Sequence, residues 1–295
     1  MADPSGRPRV EECSVNALTA QTLNDHYAAI STDPKHTATT ATPSISDVKV
    51  FHMLDRLRPT ATGLDCIPAW FLCLGAPVFA APIAELFNRS TAAAIVQRQW
   101  KAAKITTRLK VTKPVQPSDF RPISITPVIS RLFERYIIKS YIYPELHQPP
   151  PCLCFSDQFT FWPTGSTTAA LVALLHTVCL ELSTNAYVHI FALEFSKAFD
   201  SVRHATLMEK MEQLSIPDQI YTWIMDFFHR HSHCTKFAGS ISELADIMVS
   251  ITQGSTVGLA AYLVTAANLR HIHDTSSVCQ DHLLLACMVW SLYHS

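Results

Sequence analysis

Ser118-Asp119-Phe120-Arg121-Pro122-Ile123-Ser124-Ile125-Thr126 lies within the most basic part of a 295-residue chain. From Arg98 to Lys139 the sequence carries ten cationic side chains: Arg98, Lys101, Lys104, Arg108, Lys110, Lys113, Arg121, Arg131, Arg135 and Lys139. Asp119 and Glu134 oppose them, leaving a local charge of 10 − 2 = +8 in a chain whose net charge is −1. A protein that tracks phosphate is usually basic throughout, so the global balance counts mildly against a nucleic-acid partner. The distribution counts for one, because a near-neutral chain that gathers its cations in one segment can meet phosphate there. A solvated basic helix face is the plainer alternative, and charge alone does not separate the two.

The rest of the composition narrows the class. Apolar residues make up 48% and charged residues 16%, enough to build a sizeable core and too apolar for wholesale disorder. Seven glycines against 18 prolines argue against a Gly-rich nucleotide cradle, and neither GxGxxG nor GxxxxGK[ST] occurs. The nine cysteines include no CxxC pair, and the Cys152/Cys154 spacing fits neither a zinc ribbon nor a redox motif. A reduced intracellular compartment, cytoplasmic or nuclear, is therefore expected. Residues 1–12 lack the apolar core of a signal peptide. Ala69 to Phe87 is almost as apolar and as long as a membrane span, but Gly75, Pro77, Pro82 and Glu85 interrupt it. Two short buried helices around a turn are expected there, and no membrane association.

Along the chain, residues 1–46 read as a polar segment with a possible helix at Ala17–Ile30, followed by a Thr/Pro/Ser linker from Ser31. Ser46 and Asp47 are placed to cap a helix running to Arg58, with Val48, Phe51 and Leu54 on one face. Pro149-Pro150-Pro151 breaks the chain near its middle. Beyond it a helix is predicted at Thr168–Leu182 and a central strand at Tyr187–Phe195. Ile220, Trp223, Ile224, Phe227 and Phe228 recur at helical spacing and are expected to pack in the core. Cys234–Phe237 and Ile247–Ile251 read as two strands of a hairpin. His229, His231 and His233 alternate, a spacing unlike the i, i+4 pair of helical zinc sites, so a solvated turn is expected there. The order of elements predicts an α+β fold with a mostly antiparallel sheet.

Five strings, in one order, carry a family resemblance. Ser118–Thr126 resembles the FRPIS motif of reverse transcriptases. Upstream, Thr62-Gly63-Leu64-Asp65-Cys66-Ile67-Pro68 is similar to the GxDxIP signature of LINE polymerases. Downstream, residues 157–168 (DQFTFWPTGSTT) resemble QFGFRxGxST, and Leu193–Val202 (LEFSKAFDSV) resembles LDFSKAFDxV, the metal-binding motif A. Gln253-Gly254-Ser255-Thr256-Val257-Gly258 resembles QGxxxG, the template-and-nucleotide motif B. Any one string is weak; five in register from about residue 60 to 260 resemble a LINE-type, non-LTR retrotransposon reverse transcriptase of the jockey/CR1-like kind.

That resemblance implies a right-hand polymerase: fingers with upstream helices at 47–185 and a partial palm at 186–295, with a mostly antiparallel palm sheet and no thumb. It implies Arg121 and Lys110 as contacts to the nucleotide triphosphate, an Arg fork suiting paired phosphate oxygens and a Lys acting as a point charge. It implies Gln253 and Gly254 as template and nucleotide contacts. Phe199, five residues after the motif A carboxylate, would pack under the sugar and exclude a 2′-hydroxyl, with ordinary core packing as its alternative. The partners implied are an RNA template, a DNA primer and dNTP. The cofactor implied is a pair of Mg²⁺ ions held by carboxylates and by the carbonyl of Phe195.

The sequence departs from the pattern at the catalytic positions. Glu194 stands where motif A has Asp, and a shift of about 1 Å in a reacting group can cost on the order of a hundredfold. No two aspartates are adjacent anywhere, so the Asp-Asp loop of motif C is missing; Asp281 is its nearest remnant. Trp162 replaces an Arg, and Leu259 a Pro. The expectation is a degenerate, truncated copy whose ancestral activity is RNA-templated DNA synthesis and which lacks efficient polymerase activity. The rival readings are a non-catalytic nucleic-acid-binding protein and a decayed element product without function.

Overall fold

The computed structural model describes residues 44–155, 158–162, 164–190, 199, 202–247 and 254–267, and all of them fall in one compact unit that begins at Thr40. Helix α1 (Asp47–Asp55) starts where expected, with the Ser46 hydroxyl accepting the Lys49 N–H and Asp47 in the first turn. It ends at Asp55 rather than Arg58, since Pro59 disfavours helical backbone before it. Its buried face is Val50 and Leu54, while Val48 is 60% exposed. The face is set from outside the helix: Asn88 bonds both backbone groups of Ile45, fixing how the chain enters the cap.

The apolar run at Ala69–Phe87 folds as two helices about a turn, α2 (Ala69–Leu74) and α3 (Ala76–Ala92). A Cβ at Gly75 would meet the Phe79 ring, so the ring packs into the space that glycine leaves at the junction. Helix α3 is longer than the sequence suggested, because it continues through Pro82. Among the described residues no helix is long and apolar enough to cross a membrane.

A five-stranded sheet follows: β1 (Ala102–Leu109), β2 (Phe120–Ile125), β3 (His231–Phe237), β4 (Ser240–Ile241) and β5 (Ala245–Ile247). The order is β2-β1-β3-β4, with β5 also on β3. The β1–β3 pairing is parallel and the others antiparallel, so the sheet is mostly antiparallel as expected. The predicted hairpin needs correction. Its second strand begins at Ser240, next to a two-residue loop with positive φ at Ala238 (48°) and Gly239 (84°). Of Ile247–Ile251, Ile247 closes β5 and the remaining positions lie outside the described residues. A polar edge strand such as β5 has no apolar alternation to announce it.

The alternating histidines also differ from expectation. His231 opens β3 and is 4% exposed, because its pairing with Ile247 draws it under the Phe227 ring. Burial holds its imidazole down at about 4; the Phe227 carbonyl favours the proton but lacks hydrogen-bond geometry.

Helix α4 (Val128–Ile137) continues through a π turn (Ile138–Ile142) into α5 (Tyr143–His147). Helix α6 (Thr167–Leu182) forms as predicted, with the Ser166 hydroxyl capping Ala169, yet none of its residues is buried. The predicted strand at Tyr187–Phe195 is not seen in its described part. Tyr187 to Ile190 is irregular backbone with Tyr187 and Ile190 exposed, and residues 191–195 lie outside the described residues. An apolar run supplies propensity, but a strand exists only through its partner ladder.

Helices α7 (His204–Met211), α8 (Asp218–Phe228) and α9 (Thr256–Ala266) complete the core. All five apolar positions of the α8 stripe are buried, as their spacing predicted. Trp223 packs edge-on to Phe133, which stacks on Phe87 at 4.1 Å, and its indole N–H donates to the Ser90 hydroxyl at 2.9 Å. Eight of the eleven residues of α9 are buried, which makes it the central helix that the others surround.

Candidate nucleic-acid interface

The basic segment becomes a β-hairpin rather than a helix face. In the β1–β2 register Arg108 stands directly opposite Arg121, and Thr106 opposite Ile123. Strand alternation puts Lys104, Thr106 and Arg108 on the face shared with Arg121. Thr106 is also the partner of Lys236 on β3, so that lysine joins the same face. Opposed like charges destabilise an antiparallel pair. Neither guanidinium has an acidic partner among the described residues, and both are exposed.

Asp119, the nearest acid, does not serve that purpose. Its carboxylate accepts the N–H groups of Val115 and Gln116 at 2.8 and 3.0 Å, which hold its pKa below the usual carboxylate value. It shapes the 110–119 loop instead. Lys110 begins that loop, bonding Asp119 through its N–H and the Ser118 carbonyl through Nζ.

Two cations of the segment are structural. Lys101 is buried against Asp226 at 2.8 Å, and Asp226 also accepts the Val96 N–H. Arg131 donates to Thr60 Oγ1 and to the Ala61 carbonyl, tying α4 to the upstream loop. The surface charge is thus narrower than the sequence count. Where β3 turns away from β1 after Lys236, an opening of about 650 Å³ is left, lined by Thr62, Lys104, Phe120, Lys236 and Phe237 among others. Phe120 and Phe237 meet edge to face at 5.5 Å beside these lysines, and Phe237 is half exposed.

The motif strings converge behind this hairpin. A Cβ on Gly63 would lie 2.6 Å from Pro127 N, and Lys104 Nζ reaches the Gly63 carbonyl at 3.4 Å. Gly254 has φ +109°, and a Cβ there would lie 2.5 Å from the carbonyl oxygen of Ser124. Next to it, Ser255 caps α9 by accepting the Gly258 N–H. Glu134 of α4 is wholly buried at this point. Its carboxylate accepts from Ser130 Oγ (2.9 Å), Ser255 Oγ (2.6 Å) and the Thr256 N–H (3.1 Å). Burial pushes its pKa up, and the hydroxyl and N–H donors offset part of that rise.

The far end of α9 is held by three donors: Cys154 N–H to the Ala267 carbonyl, Gln158 Nε2 to Ala266, and Lys210 Nζ to Thr265. A carboxylate at the N-terminus and an ammonium at the C-terminus both suit the helix dipole. On its flank, Phe199 stacks on Tyr262 at 4.7 Å, and Phe161 meets both rings edge-on. Phe199 is 3% exposed.

The structure therefore places Lys110 and Arg121 on the hairpin, Gly254 at the entry to α9, and Phe199 in the aromatic triad beside it. Gln253, Glu194, Phe195 and Asp281 lie outside the described residues. Trp162, in place of the family's Arg, packs on His147 and Phe155 beside a cavity of about 530 Å³. Sequence reading missed that Arg108 stands opposite Arg121 and that Lys236 joins the same face, because pairing register is not visible along the chain. It also counted Glu134 merely as an opposing charge. Ser130 and Glu134 at i, i+4 inside an apolar helix were the available signal.

Residues 110–280, more than half of the chain, match the family described as reverse transcriptase (RNA-dependent DNA polymerase). The chain belongs to that family. Its relatives include the probable RNA-directed DNA polymerase from transposon X-element of Drosophila melanogaster, 26% identical over 61% of this chain and 20% of that protein. The RNA-directed DNA polymerase from mobile element jockey of the same organism is 24% identical over 69% of this chain and 22% of its own length. The Pol polyprotein from the type-1 retrotransposable element R2 of Bradysia coprophila is 24% identical over 66% and 23%. The chain is thus a reverse-transcriptase-like domain of the non-LTR retrotransposon family, and it spans about a fifth of the length of these relatives.

Proposed function

We propose that this domain binds nucleic acid and nucleotide phosphate through the basic face of the β1–β2 hairpin but does not polymerise DNA efficiently. The observation that carries the first half is the Arg108–Arg121 opposition, a repulsive pairing that phosphate would relieve. In this reading the hairpin is part of the fingers, and residues 186–295 are a partial palm. Arg121 and Lys110 hold the triphosphate, Gln253 and Gly254 face template and nucleotide, and the Phe199 ring is the sugar gate. Lys104, Lys236 and the half-exposed Phe237 offer an unpaired template strand both charge and a stacking surface.

The second half rests on the donor set. The family's two magnesium ions need several carboxylate oxygens in near-octahedral geometry. Here Glu194, Asp281 and the Phe195 carbonyl would have to supply them, and two carboxylates leave much of the charge of two divalent ions uncompensated. The residues do not fit the pair of ions.

Filter binding of a single-stranded RNA at several salt concentrations tests the binding claim. Affinity should fall with salt by a log–log slope of about −0.7 per neutralised phosphate. It should also weaken when Arg121, Lys110 and Lys113 are neutralised together. Binding that ignores both salt and these substitutions would sink it. The apolar helix α6, none of whose residues is fully buried, favours a second reading, an element product without selected function. Limited proteolysis separates the two: rapid digestion of residues 186–295 supports decay, and resistance supports a maintained domain.

A further inference from the structure

We propose that Glu134 is a positioning residue that couples the entry turn of α9 to the cation-bearing strand β2. The inference rests on the reading of β2 and the Gly254 turn as parts of one binding site. Strand β2 runs through Thr126-Pro127 directly into α4, so Glu134 and Arg121 sit on one continuous piece of chain. That piece meets the α9 entry at two points. Ser124 of β2 receives Gly254 at a distance no side chain allows, and two turns into α4 Glu134 grips Ser255 and Thr256.

The first four N–H groups of a helix lack partners within it, and here the entry is buried. Glu134 answers the Thr256 N–H directly, while Ser255 relays by donating to Glu134 and accepting from Gly258. Ser130 donates to the other carboxylate oxygen and fixes the rotamer. Three residues earlier on α4, Arg131 holds Thr60 and Ala61, beside the Gly63 that packs on Pro127. Glu134 therefore stands where the upstream loop, β2 and α9 are joined. Its absence would free the Gly254 turn from Ser124 and with it the strand that carries Arg121.

Hydrogen exchange on Glu134→Ala and Glu134→Gln tests this. Gln can accept from Ser255 and Thr256 and donate to a rotated Ser130 hydroxyl. Glu134→Ala should speed exchange about tenfold or more at both 256–258 and 123–125, since buried donors lose their acceptor. Glu134→Gln should restore protection at both. Leu207→Ala, a core truncation on α7, should not single out these two segments. If Glu134→Ala loosens 256–258 and leaves 123–125 as in the wild type, the coupling is wrong. If Glu134→Ala fails to fold, Ser255→Ala carries the same comparison, with the same two outcomes. Single-stranded RNA affinity read on the same variants separates this inference from the one beneath it. Loss of β2 protection in a protein whose wild type binds no RNA upholds the coupling and overturns the binding function.

Discussion

Arg108 and Arg121 repel one another in the free protein and would both gain from a phosphate between them. Arg108→Gln should therefore raise stability by several tenths of a kcal/mol in urea titration. It should also reduce the salt slope of single-stranded RNA binding by about 0.7. Stability and affinity moving down together would mean that Arg108 serves the fold instead. His231 gives a second test at this scale. Its folded pKa of about 4 lies below the ordinary histidine value of 6.5, so the unfolded chain binds the extra proton between the two. The stabilisation is fully present above pH 6.5 and is lost as pH falls towards 4, by roughly 3 kcal/mol over that window. His231→Phe should flatten this part of the pH–stability curve; an unchanged slope would show that the ring is not held neutral.

Elements were legible where one local rule governed them. The α8 stripe follows from periodicity, and the α1 start follows from Ser46, since capping involves residues three apart. The sheet was less legible. The partners of β1 are β2, eleven residues on, and β3, more than a hundred residues away. Tyr187–Ile190 shows the same limit from the other side, having strand propensity yet irregular backbone. The candidate site divides likewise. Arg121, Lys110 and Gly254 could be found from motif strings, whereas Arg108, Lys236 and Glu134 acquire meaning only through register and burial. Gly254 tests the packing of the α9 entry directly. Its positive φ and the 2.5 Å approach to Ser124 predict that Gly254→Ala costs on the order of 1–3 kcal/mol, seen as a lowered thermal midpoint. A neutral effect would mean that the turn can move away from β2.

For the molecule as a whole, net charge is a poor guide and arrangement a good one. A chain with net charge −1 presents a cationic sheet face because Lys101 and Arg131 are used internally while Lys104, Arg108, Arg121 and Lys236 are gathered by strand pairing. The family is legible in motif order, and on the proposed reading the catalytic positions are the part that has been lost: Glu194 would stand for one aspartate, and the sequence has no Asp-Asp pair. The proposal is therefore that binding surface and chemistry have parted. Primer extension on poly(rA)/oligo(dT) with dTTP and Mg²⁺ measures that separation most directly. The account predicts that the protein leaves the primer at its starting length; robust dTMP incorporation would contradict it.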